Sequence, residues 1–158
     1  MHRLFARHLR KSQATGSNAT ITAGSADLKV STALSMPTTV MYPGVVLYGS
    51  AVLTNTGTIP LTLRTSGLTV PASNAFSKAL KFGFATAADA ASCAKGTVTS
   101  AWVYSTFAAP TVATIGTAVP VGQSPVVCVS VQFSGTPDNT VQGQSALNFV
   151  ATIDGIQN

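Results

Sequence analysis

From Thr20 onward, short runs in which apolar residues alternate with small polar ones follow one another, with Gly, Asn and Pro between them. A period of two places every second side chain on one face of an extended strand, whereas a helix needs apolar residues three and four apart. Residues 79–84 alternate cleanly: Leu80, Phe82 and Phe84 face one way, Lys81 and Gly83 the other. Residues 126–133 put Val127, Val129, Val131 and Phe133 inward and leave Cys128, Ser130 and Gln132 on the opposite face. Residues 146–153 put Leu147, Phe149, Ala151 and Ile153 inward. Further strands are predicted over 20–22, 28–33, 45–54 and 101–107, the last with Trp102 and Tyr104 on one face. A turn is expected at 55–58, and a hairpin over 59–70 about Ser66 and Gly67. Seven to nine short strands with turn signals between them indicate an all-β, jelly-roll-like β-sandwich around one core.

One segment departs from the alternation. Residues 86–95 read TAADAASCAK and precede Gly96. Thr86 and Asp89 stand three apart, like a capping box with Asp in place of Glu. Alanine favours helix, Lys95 suits a last turn, and Gly96 suits the position after a C-cap. The segment reads as one short helix in a loop, carrying Cys93.

A chain of 158 residues suits a single domain, here 18–158, preceded by a basic segment over 1–17. Charged residues make up only 8% against a typical ~25%. Glu is absent, and the acids are Asp27, Asp89, Asp138 and Asp154. Cytosolic enzymes rarely have this composition; secreted Thr/Ser-rich β proteins often do. The net charge of +5 is concentrated at the start, where Arg3, Arg7, Arg10 and Lys11 lie. The rest of the chain is close to neutral, which weakens its resistance to self-association. The basic segment reads either as an arm for acidic extracellular polymers or as a frayed terminus. No specific nucleic-acid contact is expected. No apolar run approaches the ~20 residues of a membrane-spanning helix.

The order and spacing of Asn18, Ile21, Thr22, Ala23, Gly24, Asp27, Leu28 and Val30, then Pro43 and Gly44, then Leu53, Asn55, Thr56, Gly57 and Thr58 form a pattern. It resembles the opening of the TasA/camelysin family of secreted bacterial β-sandwich proteins. The end of the chain, with PVVCVSV at 125–131, a Pro-to-Ser loop at 137–145 and LNFVAT at 147–152, is similar to the closing strands of family members from high-GC bacteria. Ile153 replaces the usual Gln there. The resemblance implies an exported structural protein of the cell surface or biofilm matrix, joining its subunits by β-strand addition. The strand implied for that role is Thr20, Ile21, Thr22 and Ala23. The family's cleaved export signal has no counterpart in the first residues, which lack an apolar h-region. The start could lie downstream of the true one, be misread, or follow removal of the signal.

In an exported protein the pair Cys93 and Cys128 suggests one disulfide; the alternative is two buried free thiols. Camelysin-type relatives carry a metallopeptidase label, but beyond residue 11 this chain has no His and no Glu. Neither a Ser-His-Asp arrangement nor a His-based zinc site can be built there, and no cofactor is expected. Asp27 reads as a turn or strand-end residue bonding backbone N–H groups. Asp138 and Asn139 could contribute oxygens to a Ca²⁺ site, or belong to a solvated turn. Trp102 and Tyr104 read either as core packing or as an exposed sugar-stacking surface, the latter serving a monomeric adhesin or carbohydrate-binding module.

Overall fold

A computed structural model of the chain describes residues 19–37, 44–69, 79–133 and 149–157. The described strands are β1 (Thr20–Ala23), β2 (Leu28–Ser35), β3 (Val46–Asn55), β4 (Leu61–Thr69), β5 (Leu80–Ala87), β6 (Val103–Ser105), β7 (Thr114–Val119), β8 (Val126–Phe133) and β9 (Val150–Gln157). One helix, α1 (Ala90–Ala94), lies between β5 and β6. The strands form a four-stranded sheet, β1-β9-β4-β7, and a five-stranded sheet, β2-β3-β8-β5-β6. The fold is thus an all-β sandwich.

The strand order explains an oddity. With β2 set aside, β1-β9-β4-β7 facing β3-β8-β5-β6 is the order of a jelly roll made of two Greek keys. Strand β2 is an extra strand between β1 and β3. One extra strand reverses the chain direction, so β1 runs parallel to β9, while the other pairings are antiparallel.

The core lies between the sheets. Phe82, Phe84, Phe149, Leu53, Leu61, Leu63 and Ile115 are among its fully buried side chains. The inward faces expected for Leu80, Phe82, Phe84, Val127, Val129, Val131, Phe133, Phe149, Ala151 and Ile153 are all buried. Phe82 meets Phe107 and Phe149 edge to face, each at 4.8 Å between ring centres, the arrangement favoured by the ring quadrupoles.

The opposite face of β8 is also covered. Cys128 is fully buried there and bonded to Cys93, with the two Cα atoms 5.5 Å apart. Ala87, Tyr48, Val98, Trp102 and Val126 pack around the pair. Helix α1 holds Cys93 in place with caps at both ends. Its N-cap is Asp89, whose Oδ1 accepts from Ser92 N at 2.7 Å. At the other end Gly96 N donates to Cys93 O and Thr97 N to Ser92 O, a Schellman motif that Gly96 permits with φ +75°.

Three expectations need correction, and one strand is unexpected. The predicted cap, Thr86, is part of β5, opposite Val127; the capping side chain is Asp89. The hairpin about Ser66 and Gly67 does not form. Strand β4 runs on through both residues as a bulge, with Thr65 opposite Ile153 and Gly67 opposite Thr152. Ser66 donates to Thr152 O across the bulge. The strand over 101–107 shrinks to Val103–Ser105, leaving Trp102 just outside it. Strand β7 is not foreseen. Gly116, at φ +69°, interrupts its pleat, and Thr117 and Ala118 are exposed, so period two fails there. The basic segment over 1–17, Asn18, Pro43, the 137–145 loop with Asp138 and Asn139, and Leu147 lie outside the described residues.

Candidate functional site

Among the described residues, the site candidates fall on two parts of the sandwich: the edge occupied by β1 and the outer face carrying the aromatic residues.

Strand β1 brings Thr20, Ile21, Thr22 and Ala23 to the edge of the four-stranded sheet, in register with Val150, Ala151, Thr152 and Ile153. Ala19 and Ile21 turn into the core and are 4% and 6% exposed. Thr20 and Thr22 face solvent. Main-chain bonds hold both ends, Thr20 N to Phe149 O at 3.0 Å and Gly24 N to Ile153 O at 2.9 Å. The other three edges are irregular or short. Strand β7 shifts register opposite Leu61 and Leu63, β2 shifts twice between Val30 and Ser35, and β6 has three residues. Bulges and short edges discourage pairing with another chain. The β1 edge has no shift.

Just beyond β1 the chain is clamped. A Cβ at Gly24 would run into the Asp154 carboxylate, so the backbone lies directly on β9. Asp154 also faces Arg64, with 3.7 Å between Oδ2 and Nη2. Gly155 N donates to Ser25 Oγ at 2.9 Å, and Gln157 Nε2 to Asp27 Oδ2 at 3.1 Å. Asp27 therefore bonds a side-chain amide, not the backbone N–H groups expected of it, while its carbonyl accepts from Thr56 N. Asn55 completes the clamp. Its buried amide donates to Ile59 O and Val119 O, and its Oδ1 accepts from Gly57 N. An Asn so fully bonded costs little to bury and fixes the turn into β4. Residues far apart in sequence, Gly24, Asp27, Asn55 and Gly57, thus meet at one end of the sandwich.

The aromatic residues lie on the outer face of the five-stranded sheet, not in the core between sheets. Tyr48, Ser130, Gly83 and Tyr104 form one row across β3, β8, β5 and β6. Trp102 lies over Gly83; a Cβ there would be 3.0 Å from its Cε3. Trp102 is half-buried against the disulfide cluster, whereas Tyr104 is 46% exposed. Their rings are nearly parallel at 25° and 6.2 Å apart, and the Tyr48 ring is 6.0 Å from that of Trp102. Lys81 Nζ sits 4.2 Å above the Tyr104 ring. Tyr48 and Lys81 were not singled out by the sequence, because only the register of β3 and β5 against β8 brings them beside Trp102 and Tyr104.

Two shallow clefts of about 350 and 510 Å³ adjoin each other beside β5 and β7, sharing Thr86, Thr99 and Thr117. Hydroxyls and small apolar groups line them, and no titratable side chain does. Among the described residues there is no group of three or more His, Cys, Asp or Glu placed to hold a metal. No described helix is long and apolar enough to cross a membrane. Among the described residues, the one acid with a displaced pKa is Asp89. The Ser92 backbone N–H, then the Ser92 side chain, hold its carboxyl below the ordinary aspartate value, as expected of a helix cap and without a catalytic partner nearby. No family model, curated protein or solved structure matches the chain.

Proposed function

We propose that this is an exported structural protein of the cell surface or biofilm matrix whose subunits join by exchange of β1, and not an enzyme. The observation that carries this reading is the seat of β1: four residues, parallel, at an edge free of bulges. Parallel pairing is slightly weaker per residue than antiparallel. A strand this short, attached by one flank, is drawn from the least stable part of a fold. When β1 leaves, β9 presents an unpaired edge, and apolar pockets open where Ala19 and Ile21 sat. The β1 of a second copy carries the side chains that fit those pockets. Main-chain hydrogen bonds then give affinity and the alternating side chains set register. The clamp at Gly24 to Asp27 keeps the rest of the subunit closed during the exchange. The near-neutral body adds little charge repulsion between copies. The resemblance to TasA/camelysin proteins points the same way.

Charges on the strand test this. Ile21→Lys or Thr20→Asp is expected to abolish concentration-dependent assembly in sedimentation while the sandwich stays folded. Deleting residues 1–11 is expected to leave assembly nearly unchanged. Parent-like assembly of the charged variants, or a parent that stays monomeric at high concentration across pH and salt, contradicts the reading. A monomeric adhesin is the second reading, favoured by the exposure of Tyr104 beside Trp102.

A further inference from the structure

Tyr48 and Trp102 have a structural task, since both pack over the disulfide cluster. Tyr104 belongs to neither buried cluster. It stands on a three-residue edge strand, 46% exposed, with its ring near Trp102 and in contact with the Lys81 ammonium. An exposed aromatic fixed in orientation by its neighbours has already lost the freedom that binding would otherwise take away. Gly83 is part of the same device. Any side chain there would collide with Ser130 Oγ and press on Trp102 and Tyr104, so the glycine leaves the notch into which Trp102 settles.

We propose that Trp102, Tyr104 and Lys81 form a binding site for an acidic polysaccharide strand. The C–H face of a sugar ring stacks on an aromatic face, and a row of rings suits successive sugars. Lys81 determines the class. Its ammonium covers the Tyr104 ring by cation–π attraction, so a neutral sugar has to displace it without compensation. A sugar carboxylate offers the ammonium a new partner as it leaves the ring, and the long lysine stem allows that movement. Among the described residues no carboxylate already pairs with Lys81. Lys81 stands opposite Gln132 on β8, whose amide can donate to and accept from sugar hydroxyls. Single-stranded nucleic acid also stacks on aromatic rings, but it is held by a positively charged groove along its backbone. One ammonium does not make such a groove. The site lies on the sheet opposite the one containing β1, so it does not depend on subunit exchange. Copies repeated along an assembly would bind one long polymer with greater avidity.

Affinity electrophoresis in gels containing polygalacturonate, hydroxyethylcellulose or no polymer tests the proposal, with a fluorescent oligothymidylate as a nucleic-acid probe in solution. The assays are run on the parent and on the Ile21→Lys background, so that loss of assembly and loss of sugar binding are read separately. Polygalacturonate is expected to retard both proteins, and more strongly than the neutral polymer. Tyr104→Ala should weaken that retardation at least tenfold with an unchanged melting temperature. Lys81→Gln should bring acidic and neutral polymers level. The proposal is overturned if neither polysaccharide retards the protein, if both variants are retarded like the parent, or if only the oligonucleotide binds.

Discussion

Strands β8 and β1 stand at opposite extremes of the same sandwich. Strand β8 is eight residues long, pairs with β3 and β5 on its two sides, and is buried on both faces. Its inward valines fill the core, and its outward Cys128 is bonded to the loop helix. Strand β1 is four residues long, pairs on one side and runs parallel to its neighbour. Both carry alternating residues and both bury apolar side chains. They differ in what must break for the strand to leave. For β8 it is two ladders, a covalent bond and the centre of the core. For β1 it is four residues of one ladder and the small apolar area of Ala19 and Ile21. On the proposed reading, β1 is the exchangeable strand of a sandwich whose centre is rigid.

The comparison can be attacked first at its rigid end. Phe149 lies under the start of β9 with no exposure and touches Phe82. Phe149→Ala is expected to cost about 3–5 kcal/mol in denaturant unfolding. A loss below about 1 kcal/mol would mean that the site relaxes to fill the space, and the centre would then not be rigid. The disulfide should come next. It closes a loop of 35 residues between Cys93 and Cys128, and Cys128→Ser should lower stability by about 2–4 kcal/mol under oxidising conditions. Under reducing conditions that open the parent's disulfide the same substitution should change little. A loss that is equal in both would show that the outer cluster is held by packing and not by the bond.

The smallest effect belongs to the loop helix. The pKa of Asp89 is lowered by the Ser92 N–H, so the folded state prefers the charged carboxylate. That contribution is present in full above the unfolded aspartate pKa, and is lost as pH falls through the lower folded value. The carboxyl is fully exposed, so the effect is small. Asp89→Asn, which keeps a capping oxygen, should retain the helix and flatten this acid dependence. An unchanged acid limb in the stability profile of Asp89→Asn would mean that the cap is not its source.

The sequence made some of these elements plain and hid others for identifiable reasons. Residues 79–84 and 126–133 show period two because one side of each strand faces the core, and both form strands. Ser66 and Gly67 look like a turn, yet the pair is a bulge in β4, because a glycine marks strand irregularities as well as turns. Gly116 conceals β7 by breaking its alternation. The aromatic residues were visible, but their neighbours Tyr48 and Lys81 were not, since cross-strand register is not a local property. The parallel direction of β1 is the least legible feature. Nothing in Thr20 to Ala23 encodes it; it follows from the presence of β2 between β1 and β3.

The central claim is that β1 leaves its own subunit, and a reversible lock tests it most directly. Thr22 and Thr152 are register partners on β1 and β9. Neighbouring strands lie about 4.8 Å apart, within reach of a disulfide. In the double variant Thr22→Cys with Thr152→Cys, oxidation should fasten β1 to its own β9. Sedimentation of the oxidised variant, beside the parent at the same concentration, should show monomer only. Mild reduction that opens this exposed bond and leaves the buried Cys93–Cys128 bond closed should restore assembly to the parent's level. Assembly of the locked variant equal to that of the parent would contradict the account, because subunits would then be joining with β1 still in place.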